Sequence, residues 1–484
     1  MDQNPFQRQK LLQKGTQVEH QTAYQRLYGL RENPFPTLAM FTPSIDDPRR
    51  DGTIYDEKFR KEEEKKFFDL FIQSPTGDRP LELGFIRLDL QAGGRGNGKS
   101  VFLHHIAERI NKQEWHESWH PKLDDPNLFA LAVHILPEPR KQRRFWQLIY
   151  LIFMTLANEN LFTNIDVNFR AAVLYRMLSE EQIDSLSRRP PEDLQNSLQS
   201  NDNFFIILSE VGFTRSAYLE EAERQLVSIA PSTFSARFFR EFIYVDCSLE
   251  RLWEKWKREG FAPNDYQWRN HGINFFTEGL VPVTIVAGYR RFFLLLDEFE
   301  KIYMYQNNRE RDEFLDSLRQ YFYERDSTIV RNNYVTTAIT IHPSIDRYLA
   351  RNWQRVGLDG LVPLGPTRIK ACSVELGAST TSKLLHLVMT YIDYFRIEVD
   401  GSHFETLYPF SEDALEPAIE AARFYPRGTL WYANAILKEA VMEEISPPIT
   451  RDFVEKFIRA EKKPPVDDDD ELFTLPTTLN DLNG

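Results

Sequence analysis

Eight residues, Gly93-Gly94-Arg95-Gly96-Asn97-Gly98-Lys99-Ser100, constrain this chain more than any other stretch. They match the pattern G-x-x-x-x-G-K-[ST]. Residues 85–90 read as a short strand just ahead of them, and residues 101–110 carry apolar side chains at helical spacing. A strand, a glycine loop and a helix are expected in that order. Glycines let successive backbone N–H groups turn inward, and at a helix N-terminus such donors cradle phosphate oxygens. In this pattern the backbone from Gly93 to Val101 contacts the phosphates, Lys99 reaches the terminal ones, and the Ser100 hydroxyl ligates Mg²⁺. The bland alternative is a glycine-rich turn that binds nothing. The flanking strand and helix weigh against it.

The second informative segment is Phe292-Phe293-Leu294-Leu295-Leu296-Asp297-Glu298. Five apolar residues in a row predict a strand buried on both faces, as in a parallel sheet. Two acids at its end, beside a phosphate loop, have distinct uses. Asp297 holds Mg²⁺ through water, and Glu298 polarises the attacking water. The alternative is a core strand capped by surface acids, and the glycine loop upstream disfavours it. Glu300 reads as a solvated acid at a helix start. Asn111-Lys112-Gln113-Glu114 superficially resembles a guanine-reading N-K-x-D, but it lies in the helix after the glycine loop and ends in Glu. ATP is therefore preferred to GTP. Neither an L-S-G-G-Q-like segment nor a His/Cys cluster at zinc spacing accompanies these motifs.

Composition narrows the class. The 484 residues allow two or three domains, and 42% hydrophobic content is that of a globular chain. Two distant cysteines, Cys247 and Cys372, argue against a disulfide framework and for a reducing cytoplasm. The polar first 15 residues lack a signal-peptide core, and the longest apolar run, residues 145–157, is too short for a bilayer. A cytoplasmic protein with no membrane partner is expected. A net charge of −13 is the wrong sign for coating DNA. Contact with DNA would need a local patch, such as Arg140-Lys141-Gln142-Arg143-Arg144 beside Phe145 and Trp146; its bland reading is a solvated helix start.

The expected organisation is an α/β chain with six stretches. Residues 1–30 form a polar arm. Residues 31–157 begin the sheet domain, with a helix at 57–72 whose charged run is solvated on one side. Residues 158–277 form a helical insertion containing Trp253, Trp256 and Trp268, and residues 278–380 complete the sheet domain, with strands at 335–341 and 369–376. Residues 381–461 are helical, with patterns at 382–395, 411–424, 429–443 and 450–460, the second N-capped by Ser411. Residues 462–484 form a disordered acidic tail. The insertion is required because roughly 200 residues separate Lys99 from Asp297, against about 30 for a minimal crossover unit.

With these motifs the chain resembles the AAA+ ATPases, in particular the branch of origin-recognition-type initiators, transposition regulators and the related STAND switch ATPases. The resemblance covers about residues 30–460 and is silent on the insertion. It implies a P-loop three-layer α/β/α domain with a parallel sheet, a large helical insertion and a C-terminal all-helical lid. Leu30-Arg31-Glu32-Asn33-Pro34-Phe35 is similar to an Asn-Pro-Phe entry box, which implies that Asn33 and Phe35 pack near the adenine. His342 occupies the sensor-1 place, where the family usually has Asn or Thr. Tyr425-Pro426-Arg427-Gly428 resembles the sensor-2 element, which gives Arg427 the γ-phosphate. Arg347, Arg351 and Arg355 are the arginine-finger candidates, Arg351 foremost. The implied activity is hydrolysis of ATP to ADP and phosphate with Mg²⁺, in a homo-oligomer or a multi-protein assembly. The implied role is a nucleotide-dependent assembly switch or motor in a DNA-directed process: mobile-element control, replication or prokaryotic defence. The alternative is a STAND-type signalling switch triggered by a protein partner. A small-molecule kinase is a third reading, disfavoured by the Asp297-Glu298 pair and the helical C-terminal part.

Overall fold

A computed structural model describes residues 22–38, 41–42, 45–73, 79–88, 96–112, 129–138, 141–231, 233–262, 265–324, 333–342, 346–365, 368–377, 379–397 and 406–460. Gly93, Gly94, Arg95, Arg140, the first 21 residues and the acidic tail lie outside this set. The chain divides into two compact units. Met1–Lys61, Gln91–Val101 and Gly377–Gly484 make up a helical unit. Glu62–Leu90 and Phe102–Leu376 make up a sheet unit.

The sheet unit is built on five parallel strands: β1 (Leu83–Leu88), β2 (Ala130–Ile135), β3 (Arg291–Leu296), β4 (Val335–Ile341) and β5 (Ser373–Leu376). Their order across the sheet is β2-β3-β4-β1-β5. Parallel strands need crossovers, and crossovers put helices on the faces, so both faces must be apolar. The alternation of side chains divides the strands accordingly. Ile86, Ala132, Phe293, Leu295, Ala338 and Val374 share one buried cluster with Phe102, Leu103 and Ile106 of the helix Lys99–Lys112. Phe85, Val133, Phe292, Leu294, Leu296 and Ile339 share the other with Phe145, Leu148 and Ile152 of the helix Phe145–Asn158. Phe299 and Ile302, after β3, and Leu349 and Trp353, after β4, join that second cluster. The chain leaving β1 therefore packs on one face, and the chain leaving β2, β3 and β4 packs on the other. Such a change of face opens a crevice beyond the C-terminal ends of the strands, the usual ligand position in open α/β sheets. Here it falls at β1 and its neighbour β4.

Between β2 and β3 the chain is helical. Trp253, Trp256 and Trp268 lie in its core, at 3%, 1% and 0% exposure, against Tyr150, Phe153 and Phe275. They hold this region together and are not a recognition surface.

The helical unit contains Ala23–Tyr28, Thr381–Phe395, Glu416–Ala421, Pro426–Met442 and Arg451–Ala460. Its core includes Tyr28, Leu30, Phe35, Leu384, Ile392, Ile419, Ile436 and Val454. Several boundaries differ from the sequence reading. The end of the expected arm is a capped helix, with Thr22 and Gln25 forming a capping box and Tyr28 buried. Residues 31–61 belong to the helical unit and not to the sheet. The expected helix at 57–72 begins only at Lys61, because Asp56 Oδ1 accepts the N–H groups of Lys58 and Phe59 and holds a turn there. Its charged run is not simply solvated, since Arg60 and Glu64 are 3% and 2% exposed. Ser411 is no N-cap: its N–H is drawn to Ile449 O, and the helix starts five residues later at Glu416, beside Pro417. Ile369–Cys372 is a 3₁₀ turn, and only Ser373–Leu376 pairs with β1.

Candidate functional site

The described part of the glycine loop, Gly96 to Ser100, lies in the helical unit. Gly96 and Gly98 have φ of +99° and +78°, a region glycine enters without cost. Close approach is a second reason for glycine at 96. A Cβ there would stand 2.6 Å from Arg427 Cβ. The Gly96 carbonyl accepts the Arg427 N–H at 3.2 Å, and the Asn97 carbonyl accepts Arg60 Nη2 at 2.8 Å. Asn97 is 1% exposed, and neither polar atom of its side chain has a hydrogen-bond partner among the described residues. Lys99 and Ser100 open the helix Lys99–Lys112 and, like Val101 after them, are half-buried. The helix is therefore positioned to present its N-terminal N–H groups to an anion.

Local sequence explains where Arg427 sits. Pro426 starts the helix Pro426–Met442 at a position where its missing N–H costs nothing. A Cβ on Gly428 would meet Ala422 Cβ at 2.9 Å, so the helix start is packed tightly at that point. Asn33 and Phe35 lie in the same unit. Asn33 Oδ1 accepts the Phe35 N–H, and its Nδ2 donates to Asn434 O at 3.2 Å. Phe35 is 1% exposed, between Tyr391 and Phe410. Both residues are used in the helical core.

The acid pair lies in the sheet unit, where β3 ends. Asp297 is fully buried. Its N–H donates to Ile135 O of β2, and its Oδ1 accepts the Thr340 hydroxyl and the Glu298 N–H, both at 2.8 Å. The Thr340 hydroxyl in turn accepts the Glu298 N–H at 2.7 Å. His134 Nε2 lies 3.6 Å from Asp297 Oδ2. A buried carboxylate is tolerated only when hydrogen-bonded, and these donors also hold it in one orientation. Glu298 has φ +46° and ψ +36°, left-handed values that cost a non-glycine residue energy and recur at functional sites. Its Oε2 lies 2.7 Å from Lys301 Nζ. Burial pushes the Glu298 carboxyl above the usual carboxylate range, with Lys301 opposing the shift. Glu300, expected to be solvated, is 5% exposed in the first turn of Phe299–Tyr305.

Among the described residues no group of three or more His, Cys, Asp or Glu is arranged to hold a metal ion. Mg²⁺ needs no such group, because it keeps waters and takes one or two protein oxygens together with substrate phosphates. An oriented carboxylate such as that of Asp297 is a hard oxygen donor of that kind.

His342 directly follows β4 and is half-buried. In the helix Asp346–Arg355, Arg351 is exposed, Arg355 Nε donates to Asp312 at 3.0 Å, and the Arg347 side chain lies outside the described set. The basic run after residue 139 is paired with acids: Arg143 with Glu310, and Arg144 with Glu310 and Glu313. No helix among the described residues is long and apolar enough to cross a membrane. No protein-family model matches the chain, and no curated protein or solved structure shows significant similarity to it.

Thr340, His134 and Arg60 were not singled out in the sequence. A threonine in a β-branched strand and an arginine in a charged run carry no local signal of their role. Thr340→Val keeps the shape and removes the hydroxyl shared by the two acids. Loss of buried hydrogen bonds of this kind costs about 1–3 kcal/mol. The variant should melt several degrees lower. Calorimetric melting checks this, and a wild-type melting temperature would mean that the Thr340 hydroxyl does not brace the acid pair.

Proposed function

We propose that this protein binds ATP with Mg²⁺ and hydrolyses it to ADP and phosphate, in a P-loop three-layer domain with a helical insertion and a helical lid. One observation carries the reading. β1, the strand that precedes the glycine-rich segment in the sequence, lies in one parallel sheet with β3. Two positions away, β3 ends on a fully buried aspartate locked by Thr340, with a glutamate in a left-handed turn beside it. Burying a carboxylate at the end of a core strand is costly, which favours a functional reason for this one.

In this reading the loop N–H groups and Lys99 bind the phosphates. Ser100 and Asp297 would be the protein ligands of Mg²⁺, which would supply neutralisation of the phosphate charge. Glu298 accepts a proton from the water that attacks the γ-phosphorus, and the bond to the β–γ bridging oxygen breaks, leaving ADP and phosphate. Arg427, whose N–H rests on the Gly96 carbonyl within the helical unit, senses the nucleotide state there. A change of assembly state is the proposed output. A nucleic-acid partner draws no support from the basic run, which Glu310 and Glu313 neutralise.

The test is Mg²⁺-dependent phosphate release by the full chain, with mass photometry in ADP and in a non-hydrolysable ATP analogue. Absence of both nucleotide binding and turnover would end the proposal. Arg427→Ala should slow turnover about tenfold with little change in ATP affinity, as expected for a contact that matters mainly in the transition state. Unchanged turnover and unchanged assembly would leave Arg427 structural.

A further inference from the structure

We propose that Arg60 is a positioning residue of the glycine loop, setting the direction of the Asn97–Gly98 peptide and thereby the loop's affinity for nucleoside di- and triphosphates. The inference rests on the nucleotide-binding reading above and extends it to a residue outside the loop motif.

The peptide unit is planar and trans, so its C=O and N–H point in opposite directions. A donor fixed on a carbonyl therefore turns the following N–H the other way. Arg60 Nη2 holds the Asn97 carbonyl at 2.8 Å, which directs the Gly98 N–H away from Arg60. The Arg427 N–H on the Gly96 carbonyl at 3.2 Å does the same for the Asn97 N–H. Each of these two consecutive N–H groups is thus turned away from the donor that holds its neighbouring carbonyl. A phosphate is bound by N–H groups and repelled by carbonyl oxygens, so this orientation decides whether the loop attracts or repels it.

The loop cannot fix that orientation alone. Asn97 lies between two glycines in positive-φ conformations, where the backbone has most freedom. Arg60 is well placed to supply the constraint. It is 3% exposed, its guanidinium lies 4.6 Å from the Phe59 ring centroid, and Nη1 stands 3.5 Å from Gly377 O. The planar fork is held by its surroundings before any ligand arrives.

A constraint made before binding acts equally on ADP and ATP and is unchanged in the transition state. It should appear in Kd and KM and not in kcat. Arg60→Met in the full chain is expected to raise Kd about tenfold for both MgADP and a Mg²⁺-bound non-hydrolysable ATP analogue, with kcat at saturation within about twofold. Arg60→Lys, which donates without the fork, should raise both Kd values about threefold. Calorimetry gives the affinities, and melting without nucleotide reports the fold. Wild-type affinity in Arg60→Met, or a loss confined to kcat, overturns the proposal. If Arg60→Met does not fold, Arg60→Lys decides: raised Kd at wild-type melting temperature supports the role, and wild-type Kd refutes it. If the unmutated protein binds neither nucleotide, the nucleotide-binding reading fails first, and that result is distinct from a failure at Arg60.

Discussion

Glu298→Gln is expected to bind ATP as tightly as the unmutated protein and to release phosphate at least ~100-fold more slowly. Glutamine keeps the size and the hydrogen-bonding reach of glutamate, so the left-handed turn at 298 and the N–H bonds to Asp297 and Thr340 have no reason to change. What is lost is the ability to take a proton. The pH profile supplies an independent readout. Burial raises the Glu298 carboxyl above its ordinary value. A general base must be ionised, so turnover should fall as pH drops through that raised pKa, above the ordinary glutamate value of about 4.3. The residual activity of Glu298→Gln should lack this acid limb. Phosphate release by the variant within about threefold of wild type would take Glu298 out of the chemistry.

Lys99→Ala is expected to abolish nucleotide binding at micromolar concentrations. Lys99 begins the helix Lys99–Lys112 and is half-buried, so truncating it leaves no large cavity, and melting without nucleotide should be nearly unchanged. In this motif the lysine ammonium reaches the terminal phosphates. A charged hydrogen bond lost from a phosphate site costs about 3 kcal/mol, or ~100-fold in Kd. Calorimetry with MgATP and the nucleotide-induced shift in melting temperature both read this. An unaltered shift would mean that the glycine-rich segment is only a turn.

The two predictions draw on different parts of the molecule. Lys99 belongs to a motif whose chemistry is local, and Glu298 depends on contacts made across the sheet. That contrast also describes how much of the fold was legible. β4 matches its expected limits, 335–341, and β3 differs by one residue, because consecutive apolar and β-branched residues leave few alternatives to a buried strand. The helices after the glycine loop and after β2 were readable from their spacing for the same reason. The reading failed where a tertiary contact overrode a local pattern. Ser411 has the composition of a cap, but its N–H is claimed by Ile449. Asp56 diverts the start of an otherwise good helix into a turn. Glu300 and Arg60 look solvated in a charged run and are buried.

Sequence alone determined the residue types, their order and the local periodicity: a glycine loop between strand and helix, an apolar strand ending in two acids, and helices after the last strand. These are short-range properties, set by backbone freedom and by which side chains share a face. Only the tertiary structure decided that β4 lies between β1 and β3, that Thr340 grips Asp297 and the Glu298 N–H, and that Arg60 holds the Asn97 carbonyl. The two polar contacts join residues roughly 40 positions apart and the β1–β4 pairing joins residues roughly 250 apart, and no periodicity encodes which distant groups will meet once burial forces each to find a partner.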